Sequence, residues 1–289
     1  MWGGWLKSRT EKLLIPFLFW AMLSFFLKPF AIWNIANVLR NFIEIICMPE
    51  NGGLWFLWVL WIECVVLCCV KKIASNESKE VVLLMVLIVI SVLVRLCGIF
   101  RMSFFAAETA MFYCTYFFGG RLFSIHSKKR DGWKHTPNKD VVVVMVSIWL
   151  FMIVFYRYGH NYPVNYTLFS DVINNLLGQI AAFYIIPIGG ITILFLCIES
   201  MPNICVDFFA RYGNYTMQIY ILQTQVFFII LHRMTQYFVA EDAIKTIFIL
   251  HLSIFISEII GKSVFMDKLM FGCGRDFHSR GETKKENGV

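Results

Sequence analysis

Continuous apolar runs constrain this chain more than any other feature of its sequence. Two examples are Leu54–Val70, whose one charged residue is Glu63, and Val81–Phe100, whose one charged residue is Arg95. A transmembrane helix needs about 20 predominantly apolar residues. Only helices and closed barrels pair all their backbone polar groups in hydrocarbon, and continuous rather than alternating runs favour helices. We therefore predict an all-α, polytopic transmembrane helical bundle.

Composition supports this class, because 58% of the residues are hydrophobic and 16% are charged. A water-soluble core could not bury so large an apolar share. About eight spans are predicted from runs bounded by charge, Gly or Pro. They are Leu13–Phe30, Leu54–Val70, Val81–Phe100, Phe104–Phe123, Val141–Tyr156, Leu176–Cys197, Tyr215–Leu231 and Ile244–Phe265. Residues 1–270 are predicted to form one transmembrane domain, and residues 271–289 a disordered cytoplasmic tail.

The basic residues concentrate on one predicted side of the membrane. With alternating spans, that side receives Lys7, Arg9, Lys12, Lys71, Lys72, Lys79, the run Arg121–Lys139, Lys268, Arg275, Arg280, Lys284 and Lys285. The positive-inside rule makes this side cytoplasmic, so both termini are predicted in the cytoplasm and the protein in the cytoplasmic (inner) membrane. The net charge of +7 then reflects topology, and no nucleic-acid partner is expected. Topology also accounts for Arg121–Lys139, although a docking surface for an anionic cofactor or lipid headgroups is an alternative.

The nine cysteines indicate neither a metal site nor a disulfide framework. Most of them lie inside apolar runs and lack the spacing of metal ligands. The sequence also contains no Ser/His/Asp order, paired carboxylate motif or phosphate-binding glycine loop. The residues alone therefore predict no metal and leave the chemistry open.

Ionisable residues inside the spans are the best indicators of function, because each costs roughly 2.5–3.5 kcal/mol to insert without a partner. Arg95 lies near the end of the third span, and Glu108 lies near the start of the fourth. A short turn joins the two spans, so they should be antiparallel neighbours with both residues at similar depth. We predict an Arg95–Glu108 ion pair, which either fixes helix register or contacts substrate.

Two further polar residues fall near the predicted midplane of the membrane, namely Glu63 in the second span and Gln223 in the seventh. An unpaired carboxyl there stays charged only where water reaches it, so Glu63 indicates an internal polar pocket. In the last span, His251 and Glu258 share a helical face. That spacing suits a helix–helix seam, which is the preferred interpretation, or a polar relay.

Three local patterns resemble the acyltransferase family 3 membrane proteins. They are Lys7–Pro16 (KSRTEKLLIP), Gly53–Trp58 (GLWFLW) and Gly213–Gln223 (GNYTMQIYILQ), and Phe117–Leu122 (FFGGRL) is similar to the exit of a central span in that family. The likeness extends from about Trp5 to Phe265. It implies a transmembrane enzyme that carries an acyl group, usually acetyl, from cytoplasmic acyl-CoA to a hydroxyl of a cell-envelope glycan or similar acceptor. Acyl-CoA would then be a co-substrate, and no tightly bound cofactor is expected.

The resemblance also implies roles for particular residues. Arg9 and Lys12 stand at the family's basic pair and would face the phosphates of the donor through charge-assisted hydrogen bonds. A polar cavity between the helices would hold the substrate. Its candidate residues are Trp55, Glu63, Arg95, Glu108 and Gln223.

The sequence departs from the family pattern in three places. Family members usually begin with two further spans, the first of which carries an arginine and a histidine associated with acyl transfer, and no residue here matches that histidine. The catalytic residue is therefore unassigned, and without that hairpin the chain is expected to lack transfer activity. Lys12 replaces the second arginine of the basic pair, and Gln223 stands where a histidine is frequent.

Two other classes of function stay open. A transporter or flippase for an envelope lipid or glycan would also need polar groups in mid-membrane and usually has paired, interrupted helices. The chain shows one such interruption, at Pro187, Gly189 and Gly190. The remaining alternative is a non-catalytic remnant or partner subunit.

Overall fold

All secondary structure that can be described in this protein is helical. The computed structural model describes residues 2–27, 35–49, 54–96, 104–129, 139–161, 180, 184–227 and 242–272. No strand occurs in these ranges, which confirms the predicted all-α class. Within the same ranges, none of the helices reaches the combined length and hydropathy of a membrane span. The number of spans and the side of each terminus stay predictions.

Eleven α-helices lie in the described ranges. They are α1 (Trp2–Leu27), α2 (Ile35–Cys47), α3 (Trp55–Ile73), α4 (Glu77–Leu96), α5 (Ala107–Lys129), α6 (Lys139–Asn161), α7 (Ile186–Ser200), α8 (Asn203–Asn214), α9 (Thr216–Leu222), α10 (Asp242–Gly261) and α11 (Val264–Phe271). A 3₁₀ turn, Phe104–Ala106, precedes α5, and a π-helical turn, Gln223–Phe227, continues α9. The chain forms two compact units, of which the first combines residues 1–123 with 212–289 and the second contains residues 124–211.

Each predicted span coincides at least in part with a described helix, but several boundaries differ. The first helix begins at Trp2 instead of Leu13, because the Lys, Arg and Glu residues of 7–12 are good helix formers. Pro16 consequently lies inside α1 and not in its first turn. Parts of four predicted spans lie outside the described residues. They are the ends of three spans, beyond Leu27, Leu96 and Phe227, and most of residues 176–183.

The last predicted span, Ile244–Phe265, is wrong as a single helix. The chain turns between α10 and α11 because Ser263 adopts an extended conformation and caps α11, its hydroxyl accepting a hydrogen bond from the Met266 N–H at 3.5 Å. The helix α11 then continues to Phe271, the first residue of the predicted disordered tail. That tail stays a prediction. Residues 273–289 lie outside the described residues.

The helices α2, α8 and α11 have no counterpart among the predicted spans. At 13, 12 and 8 residues they are shorter than a span. In α2, Arg40 and Glu44 are exposed one turn apart while Ile45 is buried. A search for long apolar runs does not detect such short amphipathic helices.

The core of the first unit is built around α1. Phe17 is fully buried, and its ring centroid lies 5.1 Å from that of Trp58 on α3. Trp20 is buried as well, and its indole N–H donates a 2.9 Å hydrogen bond to the Met270 carbonyl of α11. Phe271, also fully buried, completes this core. The helix α1 is therefore held by α3 and by α11.

In the second unit, α6 and α7 pack through Trp149. The indole N–H of Trp149 donates a 2.8 Å hydrogen bond to the Ile186 carbonyl. A Cβ atom on Gly190 would lie 3.0 Å from the same ring, so the glycine makes room for the indole. Pro187 lies in the first turn of α7, a position that proline tolerates. The two glycines of the predicted interruption at Pro187, Gly189 and Gly190 thus serve as a packing site for Trp149.

The close contact between α1 and α11 depends on a glycine at the end of α11. Gly272 caps α11 in the left-handed conformation, with φ of 65°, and its N–H donates a 3.0 Å hydrogen bond to the Lys268 carbonyl. A Cβ atom here would clash with the backbone carbonyl oxygen of Lys12 and would lie 2.6 Å from its Cα. Both the backbone conformation and the available space therefore require glycine.

We predict that Gly272→Ala lowers the free energy of unfolding by about 2–4 kcal/mol, from left-handed strain plus the displaced α1 backbone. Thermal unfolding of the purified protein measures this effect. Gly120→Ala is the matched control, because no atom lies within 4 Å of a Cβ added there. The control should raise stability by about 0.5–1 kcal/mol. Equal effects of the two substitutions would contradict the assigned contact.

Candidate functional site

The predicted ion pair between Arg95 and Glu108 is present. Arg95 lies in the last turn of α4 and Glu108 in the first turn of α5, so the two helices run antiparallel here as expected. Each charge also complements the dipole at its helix end. The side chains are 26% and 33% exposed, and such partly screened pairs stabilise by at most about 1 kcal/mol.

Two more polar contacts follow the same register along α4 and α5. The Arg121 guanidinium donates a 2.9 Å hydrogen bond to the Glu80 carboxylate, and the Ser91 hydroxyl lies 3.9 Å from the Met111 sulfur. Together with Arg95–Glu108 they form a polar seam between the helices. Because the three contacts follow one register, the Arg95–Glu108 pair helps to fix the register of α4 against α5. A contact of that pair with substrate stays a prediction.

Glu63 is the most deeply buried of the predicted site residues. It is 3% exposed, and no residue in the described ranges is hydrogen-bonded or ion-paired to it. Trp61, on the same helix, donates a 3.1 Å hydrogen bond from its indole N–H to the Thr10 hydroxyl of α1. Because Trp61 and Thr10 are close neighbours of Glu63 and Arg9 in the sequence, this hydrogen bond brings the turn of α3 that carries Glu63 next to the turn of α1 that carries Arg9.

Further buried polar side chains lie on α4 and α5. Ser91 on α4 and Cys114 on α5 are both buried. Next to Cys114, the buried Thr115 hydroxyl oxygen has no hydrogen-bond partner among the described residues. Sequence reasoning missed these three small residues, because single hydroxyl and thiol groups are common in transmembrane helices. Buried polar groups therefore occur on α3, α4 and α5.

Arg9 and Lys12 lie three residues apart on α1, and both side chains are exposed. The guanidinium carbon of Arg9 lies 5.7 Å from the ring centroid of Trp5, within the range of a cation–π interaction. Residues at this spacing share one helical face, so the two cations can contact one anionic ligand together. Their predicted role at the phosphates of a donor stays a prediction.

Aromatic side chains surround the start of α3. Trp55 lies 5.3 Å from Tyr113 of α5, and Phe56 lies 5.4 Å from Tyr220 of α9, measured between ring centroids. Trp55 is partly exposed, so it is available as the predicted cavity residue. The GLWFLW pattern therefore marks the point where α3, α5 and α9 meet.

The side chain of Gln223 is exposed, whereas Gln218 and Gln225 are buried. Gln223 starts the π-helical turn, in which the Thr224 hydroxyl donates a 2.9 Å hydrogen bond to the Tyr220 carbonyl. A π-turn inserts extra residues and changes which side chains face inwards. The number of residues from the end of a span predicts how deep a side chain lies in the membrane, but not the direction in which it points. The two buried glutamines were missed for this reason.

The turn before α5 has an unusual backbone. Phe105 and Ala106 both have positive φ, at 54° and 52°, although neither is a glycine and each residue costs about 1–2 kcal/mol in this conformation. The Trp58 indole N–H donates a 3.1 Å hydrogen bond to the Phe105 carbonyl, and the two rings stack at 5.9 Å. Trp58 thus holds the turn that leads to Glu108.

His251 makes a helix–helix contact, in agreement with the seam interpretation. Its Nδ1 lies 2.8 Å from the Ile247 carbonyl and its Nε2 lies 3.2 Å from the Tyr212 hydroxyl. Because a carbonyl only accepts, Nδ1 carries the proton and Tyr212 donates to Nε2. Glu258 is exposed on the same helix. Among the described residues, no group of His, Cys, Asp and Glu side chains has the arrangement of a metal site.

The helical fold, the basic pair on α1 and the buried polar cluster at Glu63 define a helical protein with a polar interior. The chain belongs to the acyltransferase family 3, because the model of that family's acyltransferase domain matches residues 1–261. This match confirms the family that the sequence patterns indicated and supports acyl transfer in general. Neither a curated protein nor a solved structure matches the chain.

We predict that Glu63→Leu raises the free energy of unfolding by about 1–2 kcal/mol, because it removes a buried carboxyl that has no described partner. Glu63→Gln, which keeps a polar group of the same size, should change stability less. Thermal unfolding of the purified variants compares them. Leu67→Ala, one turn along the same buried face, should lower stability by about 2–5 kcal/mol and shows that the assay detects core changes. A loss of stability in Glu63→Leu would mean that the carboxyl has a structural partner.

Proposed function

We propose that this protein is a multi-pass enzyme of the cytoplasmic membrane that transfers an acyl group, usually acetyl, from acyl-CoA to a hydroxyl of a cell-envelope glycan. The observation that carries the proposal is the family match over residues 1–261. It is a match to an acyltransferase domain, and it includes α1 with the exposed Arg9 and Lys12. The product would be an O-acylated polysaccharide or similar acceptor.

The distribution of side chains on α4 supports a lipid bilayer as the protein's surroundings. After Lys79, the polar residues of α4 are Glu80, Ser91 and Arg95, and each contacts α5 or the backbone of α4 itself. The exposed face, in contrast, consists of large apolar residues, namely Val82, Met85, Val86, Val89, Ile90 and Leu93. A continuous apolar surface of this kind is unfavourable in water and favourable against lipid.

The basic pair supports acyl-CoA as the donor. Coenzyme A carries several phosphates, and the Arg9 guanidinium can bind phosphate oxygens in a bidentate manner, whereas Lys12 contributes a point charge. The Trp5 ring beside Arg9 orients the guanidinium before the ligand arrives. No tightly bound cofactor is part of this proposal.

In the proposed reaction, the acceptor hydroxyl oxygen bonds to the carbonyl carbon of the thioester, and the carbon–sulfur bond breaks. The hydroxyl proton passes to a base, and the CoA thiolate leaves and takes up a proton. The base stays unassigned in this chain. The polar interior around Glu63, with Trp55, Arg95, Glu108 and Gln223 as its further candidates, is the proposed position of the acceptor.

The transporter alternative has less support in the sequence, because transporters usually have paired interrupted helices and this chain shows one such interruption, at Pro187, Gly189 and Gly190. A non-catalytic remnant or partner subunit is the remaining alternative, and the assay below distinguishes it from an enzyme.

We expect membranes from cells that express the native gene to release CoA from acetyl-CoA when envelope glycan is added, and membranes from a deletion strain to release none. Arg9→Ala at the chromosomal locus should lower kcat/KM by about 10–100-fold, because charge-assisted hydrogen bonds to phosphate are lost. Lys79→Ala removes the same charge from an exposed site on α4 and is the control. It should leave kcat/KM unchanged.

Three other outcomes would contradict the proposal. Movement of glycan or lipid across the membrane without an acyl donor would identify a transporter. Equal CoA release by both strains would identify a non-catalytic protein. Full activity in Arg9→Ala would mean that the basic pair does not bind the donor. The same assay on the purified chain tests the expectation that it lacks transfer activity by itself.

A further inference from the structure

The C-terminal helix α11 lies beyond the region that the family model matches, which ends at residue 261. It is nevertheless anchored on α1. Phe271 is fully buried, Asp267 is buried, and the Trp20 indole N–H is bonded to the Met270 carbonyl. Side chains of α11 that point away from this core are therefore held in fixed positions relative to α1.

Lys268 is such a side chain. It directly follows the buried Asp267 in the sequence, yet it is 54% exposed, and its Nζ atom lies 3.6 Å from the Glu11 carboxylate of α1. Glu11 directly precedes Lys12 in the sequence. The contact of Gly272 with the Lys12 backbone, one helical turn after Lys268, brings the main chains of α1 and α11 together at the same place.

Three cations and one carboxylate thus lie on neighbouring turns of α1 and α11, namely Arg9, Lys12, Lys268 and Glu11. Arg9 and Lys12 share one face of α1, whereas Glu11 points to a different side of the helix and pairs with Lys268. An exposed lysine–glutamate pair at 3.6 Å is weak and exchanges readily. A phosphate group brings more negative charge and more acceptor oxygens than a carboxylate, so a phosphate bound at Lys12 competes well with Glu11 for the same lysine.

We propose that Lys268 is a third donor-binding residue, which contacts a phosphate of coenzyme A together with Arg9 and Lys12 after leaving Glu11. This inference rests on the proposed function, since it assigns the basic pair to the same donor. It gives α11 a role in binding as well as in packing. It also assigns Glu11 the role of a competitor that weakens donor binding.

The test measures the dissociation constant of CoA by calorimetry, with the full chain in zwitterionic phosphatidylcholine nanodiscs. Lys268→Ala should weaken CoA binding by about fivefold, the scale of an exposed charge contact. Glu11→Gln should strengthen it by a similar factor, an effect that a merely structural role would not produce. Lys79→Ala on α4 is the matched control and should leave the dissociation constant unchanged. Thermal unfolding confirms that each variant is folded, as expected for exposed side chains.

The outcomes separate this inference from the proposed function. If Arg9→Ala loses CoA binding while Lys268→Ala and Glu11→Gln bind as the wild type does, Lys268 has no role at the donor and the proposed function stands. If the wild type binds no CoA, both proposals are wrong. If Lys268→Ala leaves CoA binding unchanged but releases phosphatidylglycerol added to the nanodiscs, the lysine serves a lipid headgroup, and the inference is overturned.

Discussion

The packing of α1 is the constraint on which the first unit depends. Its middle turns place Phe17 and Trp20 between α3 and α11, where both side chains are buried. The same helix carries Arg9 and Lys12 on its exposed face, one to two turns earlier. Any shift of α1 in its core would therefore also move the two cations, so the stability of the core and the position of the proposed donor site are linked.

On α4, the ion pairs lie on one face and the large apolar residues lie on the other. Glu80–Arg121 and Arg95–Glu108 join α4 to α5, while the opposite face of α4 is apolar and exposed. Glu63 lies deeper, without a partner among the described residues. A buried carboxyl in such surroundings is costly to keep, and sites that bind or react with polar ligands are where proteins commonly keep one.

One success and two failures of prediction have a common physical cause. Arg95 and Glu108 were predicted to pair because a short turn joins their helices. Helices joined in this way are expected to lie next to each other. The contact of Trp61 with Thr10, which sets the level of Glu63 relative to Arg9, could not be predicted, because α1 and α3 are not consecutive and only their packing sets the register. Likewise, the choice of Gln225 rather than Gln223 as a buried side chain follows from a π-turn that has no clear signal in the sequence.

The sequence by itself determined the helical class, the family and the Arg95–Glu108 pair, since these depend on apolar periodicity, local motifs and short connections. Only the tertiary structure decided that α11 folds back onto α1, with Gly272 against Lys12 and Lys268 beside Glu11. The reason is that contacts between the two ends of the chain depend on how whole helices pack. No local pattern near Lys12 or near Gly272 specifies its distant partner.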